Sequence, residues 1–108
     1  MAVPEINVDE LASRLEAGAF LLDVRQPDEY IEAHVPSALL VPLDEVPARV
    51  AELPADQEIL VICRTGGRSH RAAEFLIGQY HLDAVNVAGG TLAWIGSGRD
   101  IVVGTEPT

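Results

Sequence analysis

Glu58-Ile59-Leu60-Val61-Ile62-Cys63-Arg64-Thr65-Gly66-Gly67-Arg68-Ser69 is the stretch on which the fold turns. Its first half, Glu58 to Ile62, carries an unbroken Ile/Leu/Val run of strand length, the pattern of a strand buried on both faces in a parallel sheet. Its second half abandons apolar residues for two glycines and two arginines. Beyond it, Ala72, Ala73, Leu76 and Ile77 recur at core-facing spacing, so Ser69 to Gln79 is predicted to be helical. Strand, glycine loop and helix in this order place Cys63 at the carboxyl end of a strand, where ligands gather in α/β sheets.

Toward the N-terminus, Glu5 to Val8 is an extended lead-in, and Asn7 with Glu10 three residues later resembles a capping box for a helix from Asp9 to Ala17, ended by Gly18. Ala19 to Val24 is a second continuous apolar strand, with Asp23 and Arg25 at its end. Pro27 at a first helical position, followed by Asp28 and Glu29, starts a short helix that stops before Val35-Pro36. Ala38 to Val41 is a short strand. A helix is expected around Asp44 to Leu53, with Val46, Val50 and Leu53 on one face. After the central unit come a strand at Ala84 to Val87, a tight turn at Gly89-Gly90, a short helix from Thr91 to Ser97 closed by Gly98, and a tail with one apolar stretch, Ile101-Val102-Val103. There is no internal repeat and no linker. The alternation predicts one α/β domain over residues 1–108, a three-layer sandwich whose central, mostly parallel sheet of about five short strands is flanked by helices.

At 108 residues and 48% apolar composition the chain can fill one modest core. Its longest apolar runs fall far short of the roughly 20 residues of a membrane span, and its first residues lack the basic and apolar regions of a signal peptide. A soluble, cytoplasmic protein is expected. Seventeen acidic residues against seven arginines, with no lysine, give a net charge of −10, which disfavours nucleic acid and anionic membranes as partners. Schiff-base and P-loop lysine chemistry are excluded. Within this acidic chain Arg64, Arg68 and Arg71 form a small basic island beside the only cysteine.

A lone cysteine cannot make an internal disulfide or a multi-thiolate zinc site, so Cys63 is either inert packing or a reactive thiol. The loop decides between these. Gly66 and Gly67 can adopt positive φ and turn backbone N–H groups inward, the following helix presents its positive end, and Arg64 and Arg68 add full charges. Such a setting binds anions and lowers a thiol pKa from its usual value of about 8.5, which favours the nucleophilic thiolate.

With these residues in place the chain resembles a single-domain rhodanese over nearly its whole length. The resemblance rests on Asp23-Val24-Arg25 with Glu29-Tyr30 and Ala33-His34-Val35-Pro36-Ser37-Ala38, on the Cys63 to Ser69 loop, and on Gly89-Gly90-Thr91-Leu92-Ala93-Trp94, similar to the family's closing motif. It implies a sulfurtransferase in which Cys63 takes the outer sulfur of thiosulfate or a related small anionic donor, releases sulfite, and passes the sulfur to cyanide, a thiol or a protein. It assigns the nucleophile to Cys63, donor binding to Arg64 and Arg68, and persulfide stabilisation to the loop amides from Arg64 through Thr65, Gly66 and Gly67 to Ser69. No metal or organic cofactor is implied. A sulfur-carrier or regulatory module loaded by a partner protein is the alternative. Related phosphatases and arsenate reductases use a similar Cys-to-Arg cradle, but the four residues between Cys63 and Arg68 match the shorter loop of sulfur-handling members, whereas phosphatases have five.

Other polar residues carry blander expectations. Asp23 and Arg25 should hold loops together, with Arg25 paired to Glu29 or Asp28 across the Gln26-Pro27 turn. His34 matches a turn-holding hydrogen-bond donor of the family, although the family usually has glycine where Ala33 and Ser37 stand. His70 and His81 are expected at the surface, and Trp94 with Leu92 as a core plug.

Overall fold

The computed structural model describes residues 2–108. Five strands, β1 (Glu5–Ile6), β2 (Phe20–Asp23), β3 (Leu39–Leu40), β4 (Ile59–Ile62) and β5 (Ala84–Val87), form one sheet in the order β1-β5-β4-β2-β3, every pairing parallel. Five α-helices accompany them: α1 (Val8–Glu16), α2 (Pro27–Glu32), α3 (Val46–Arg49), α4 (Gly67–Tyr80) and α5 (Gly90–Gly96). Parallel strands need crossover connections, and the helices in those crossovers cover both faces of the sheet.

The central strand β4 is buried along its whole length because each face meets a helical layer. Ile59, Val61 and Cys63 join Leu22, Val24, Val46, Ala72, Ala73 and Leu76 in the core beneath α3 and α4. Leu60 and Ile62 point the other way, into a core with Leu11, Leu21, Tyr30, Val87 and Trp94 beneath α1, α2 and α5. The strand period of two therefore turns the Cys63 side chain toward α4.

Several expectations are corrected. The helix expected from Asp44 to Leu53 is split into a 3-10 turn (Leu43–Glu45), α3 and a second 3-10 turn (Val50–Glu52). Pro47 has no N–H to bond back into the preceding turn, and the backbone at Arg49, φ −120° and ψ 16°, breaks the helical path. Only half of the capping box on α1 forms: Asn7 accepts from the Glu10 N–H at 2.9 Å, while the Glu10 carboxylate accepts from Arg14 instead. In the tail, whose sequence showed only an apolar stretch, Val102 makes an isolated antiparallel bridge with His34. Trp94 is buried and its indole N–H donates to the Asp100 carbonyl, as befits a core plug, but Leu92 is 46% exposed. Residues two apart on a helix diverge by about 200°, so both cannot face the core.

Candidate functional site

The loop between β4 and α4 begins at Cys63, whose backbone continues the buried strand and whose side chain lies against Ser69. Gly66, at φ +119°, makes the reversal that leads into α4, and its N–H donates to Cys63 Sγ at 3.1 Å. Ser69 Oγ lies 3.2 Å from the sulfur, and the Thr65 and Ser69 amides add to the groups that favour its anion. Ser69 sits in the first turn of α4, whose N–H groups have no partner within the helix and are free to serve the sulfur.

The loop carbonyls face away from the sulfur because α5 takes them. The N–H and hydroxyl of Thr91 both donate to the Cys63 carbonyl, at 2.9 and 3.0 Å, and the Leu92 N–H donates to the Arg64 carbonyl at 3.1 Å. Gly90 makes this approach possible: a Cβ there would stand 2.5 Å from the Arg64 carbonyl oxygen, at a φ of +59°. Gly89 and Gly90 thus lead directly into α5 and press its N-terminus against the cysteine loop.

Burial pushes the Cys63 thiol up, but hydrogen bonds from the Ser69 hydroxyl and from the Ser69, Gly66 and Thr65 amides outweigh it and hold the thiol below its ordinary value. The direction agrees with the sequence reading; these hydrogen bonds are its main source, and the Arg68 charge, coupled to the sulfur, acts in the same direction. Arg68 turns its guanidinium onto the Glu29 carboxylate of α2, with bonds of 2.7 and 2.9 Å. Arg64 is exposed, and among the described residues Arg64 and Arg71 alone of the seven arginines have no carboxylate partner. The loop brings Thr65, Gly66 and Ser69 to the sulfur, while Gly67 begins α4 as an exposed residue.

The ion pair expected between Arg25 and Glu29 or Asp28 is absent, because Arg68 occupies Glu29 and Arg25 folds back on the fully buried Asp23 at 2.9 Å. Arg25 also donates to the carbonyls of Ala33 and Glu29, bracing the end of β2 against α2. A cavity of about 90 Å³ opens beside this brace, lined by Arg25, Glu29, Ala33, Arg64, Leu92 and Ile95 among others.

His34 is buried, stacked on Tyr30 at 3.6 Å, with its ring nitrogens 2.7 Å from the Tyr30 carbonyl and 2.8 Å from that of Glu106. It ties the C-terminal tail to the turn after α2. His81 is exposed and ends α4, and His70 is half-buried. Among the described residues no three His, Cys, Asp or Glu side chains gather to hold a metal ion, and no helix is long and apolar enough to cross a membrane.

One site residue escapes the sequence reading. Asn86 is buried at the centre of β5, with Oδ1 2.5 Å from Ser69 Oγ, while its amide donates to the Glu5 carboxylate at 3.0 Å and the Gly66 carbonyl at 3.2 Å. Its signal was a polar residue inside the apolar run Ala84-Val85-Asn86-Val87, since a buried polar side chain demands partners.

Comparison with known proteins places this geometry. Residues 7–97 match the model of the rhodanese-like domain. A protein of Allochromatium vinosum named sulfurtransferase is 35% identical over 102 residues, covering 93% of this chain and 95% of that protein. The thiosulfate sulfurtransferase GlpE of Pseudomonas syringae is 33% identical over 79 residues, 73% of this chain and 74% of that one. The crystal structure of a rhodanese-related protein from Thermoplasma volcanium superposes with a TM-score of 0.86 at 35% identity, covering 93% of this chain and 98% of that one.

Proposed function

Since this chain belongs to the rhodanese-like family, we propose that it is a sulfurtransferase that moves a sulfane sulfur from thiosulfate or a related anionic donor through a Cys63 persulfide. The observation that carries this reading is the pair of donors on the Cys63 sulfur, the Gly66 N–H at 3.1 Å and the Ser69 hydroxyl at 3.2 Å. They stabilise a thiolate before transfer, and they offer a persulfide anion the same donors after it.

In the first step the Cys63 thiolate attacks the outer sulfur of thiosulfate. A Cys63 S–S bond forms, the S–S bond of the donor breaks, and sulfite leaves with the electron pair. In the second step a thiolate or cyanide attacks the outer sulfur, and Cys63 leaves as thiolate. Arg64, exposed and unpaired, binds the anionic end of the donor. Thr65, Gly66 and Ser69 form the cradle, Gly67 carries it into α4, and Arg68 holds it to α2. A thiol that must stay reduced between cycles suits the cytoplasm.

Intact mass after exposure to thiosulfate tests the reading: the chain should gain one sulfur atom, and Cys63→Ser should gain none. No gain, together with phosphate release from a phenyl phosphate ester, would replace the reading with a phosphatase. Against that outcome stands Arg68, whose fork is filled by Glu29 rather than open to a tetrahedral oxyanion.

Loading by a partner protein is a second reading, favoured by the exposed Leu92 and Ile95 beside Arg64 on the cavity rim. Turnover with thiosulfate, compared with sulfur transfer from a persulfidated protein, separates the two.

A further inference from the structure

Asn86 occupies a position where the strand pattern calls for an apolar side chain. It shares a face of the sheet with Ala84, Ile59, Val61 and Cys63, all in the core beneath α4. A buried amide there is tolerated because every polar atom is bonded, and no buried side-chain nitrogen or oxygen among the described residues lacks a partner.

The partners fix the amide's orientation. Its nitrogen faces two groups that can only accept, the Glu5 carboxylate and the Gly66 carbonyl. Oδ1 is therefore the atom that faces Ser69 Oγ at 2.5 Å. Ser69 carries one hydroxyl proton and has two claimants for it, since Cys63 Sγ lies 3.2 Å away on its other side.

We infer that Asn86 is a positioning residue for the sulfur chemistry, competing with Cys63 for the single proton of the Ser69 hydroxyl. While Cys63 is a thiol, S–H donates to Ser69 Oγ and Ser69 donates to Asn86, so the relay is complete. When Cys63 ionises, Sγ becomes an acceptor, and the Ser69 proton can reach it only by leaving Asn86. When an outer sulfur is attached, the negative charge moves off Sγ and the proton returns to Asn86. A thiolate whose hydrogen bond is contested is less stabilised and more nucleophilic, because nucleophilicity falls as thiol pKa falls. Asn86 thereby trades thiolate population against thiolate reactivity, through Ser69 and without touching the reacting sulfur.

The charged groups around Cys63 are Arg68 with Glu29 from α4 and α2, the Asp23–Arg25 pair at the end of β2, Arg64 of the loop, and Glu5 of β1 beyond Asn86. None is itself substituted below, and the Asn86–Glu5 contact is lost alike in the Ser69 and Ser69→Ala backgrounds.

The proposal gives the sulfurtransferase reading a mechanism of control and rests on it for its purpose only. Its test reads the free thiol with no sulfur donor present, so a failure to load sulfur leaves its outcome decided. Cys63 alkylation by iodoacetamide is followed against pH in the parent chain, Asn86→Leu, Ser69→Ala and the double variant. Loss of the Gly66 contact affects both backgrounds alike; the contest for the proton exists only where Ser69 is present. Asn86→Leu should move the thiol midpoint to lower pH in the Ser69 background relative to the Ser69→Ala background, a coupling of about threefold or more in thiolate fraction. Equal shifts in the two backgrounds overturn the proposal. If Asn86→Leu does not fold, the side-chain carbonyl 13C resonance of Asn86 is followed in the parent chain. It should titrate with the Cys63 midpoint and stay still in Ser69→Ala; a resonance that ignores Cys63 ionisation in the parent chain also overturns it.

Discussion

Arg68 and Glu29 form a two-pronged ion pair, Nη1 to Oε1 at 2.7 Å and Nη2 to Oε2 at 2.9 Å, that fastens the first turn of α4 to the first turn of α2. The Glu29 Oε1 atom also accepts the Gln26 N–H at 3.0 Å, so one carboxylate caps its own helix and anchors the cysteine loop's helix.

Hydrogen bonds from Arg68 draw the Glu29 pKa down from 4.5 to about 2, with burial opposing and the Gln26 N–H assisting. A carboxylate depressed in the folded state adds stability that is fully present above its unfolded value and fades as pH falls toward the folded one. The chain should lose stability as pH falls from 4.5 to about 2, and Glu29→Gln should flatten that loss. Urea unfolding at stepped pH checks it; identical slopes in parent and variant would remove Glu29 from the account.

The two loop arginines should separate in function. Among the described residues Arg64 has no carboxylate partner, whereas Arg68 is engaged by Glu29. Arg64→Ala should raise the thiosulfate concentration needed for persulfide formation by about tenfold with little change in unfolding midpoint, the loss of one charge-assisted contact. Arg68→Ala should lower the midpoint first. Donor titrations paired with denaturant curves distinguish them, and an Arg64 variant with unchanged donor dependence would move the donor site elsewhere.

Gly90 should tolerate no side chain. Adding a methyl group drives it into the backbone carbonyls of Arg64 and Cys63, at 2.5 and 2.6 Å, in a conformation that L-residues avoid. Gly90→Ala is expected to cost about 2 kcal/mol or more and to slow Cys63 alkylation, because α5 would release the loop carbonyls. Equilibrium unfolding and thiol reactivity measured on the same preparation test both parts.

Ser37 is the converse case. It holds φ at +74° while its N–H donates to the Pro107 carbonyl at 2.9 Å. The strain of a left-handed L-residue, about 1–2 kcal/mol, exceeds the added chain entropy of glycine, so Ser37→Gly should stabilise the chain by about 0.5–1 kcal/mol. Thermal unfolding measures the difference; a lower midpoint would mean that the serine side chain contributes more than its backbone costs.

The sequence by itself determined the parts whose physics is local. The apolar run Ile59 to Ile62 had to be a doubly covered strand, the Gly66-Gly67 pair had to supply the reversal, which the structure gives to Gly66 alone, and the spacing of Ala72, Ala73 and Leu76 had to be a helix, which together put Cys63 at a strand end. Even there, Pro47 split a helix that apolar periodicity alone left continuous. Only the tertiary structure decided which charges pair and who holds the sulfur's neighbours. Arg68 finds Glu29 39 residues away, and Asn86 reaches Ser69 across 17 residues and Glu5 across 81. Those bonds depend on which strands become neighbours in the order β1-β5-β4-β2-β3, a consequence of packing both faces of the sheet at once. Long-range pairing leaves no periodic trace along the chain. The place of Cys63 at a strand end was therefore legible, while its neighbours Ser69 and Asn86 came into view only with the folded sheet.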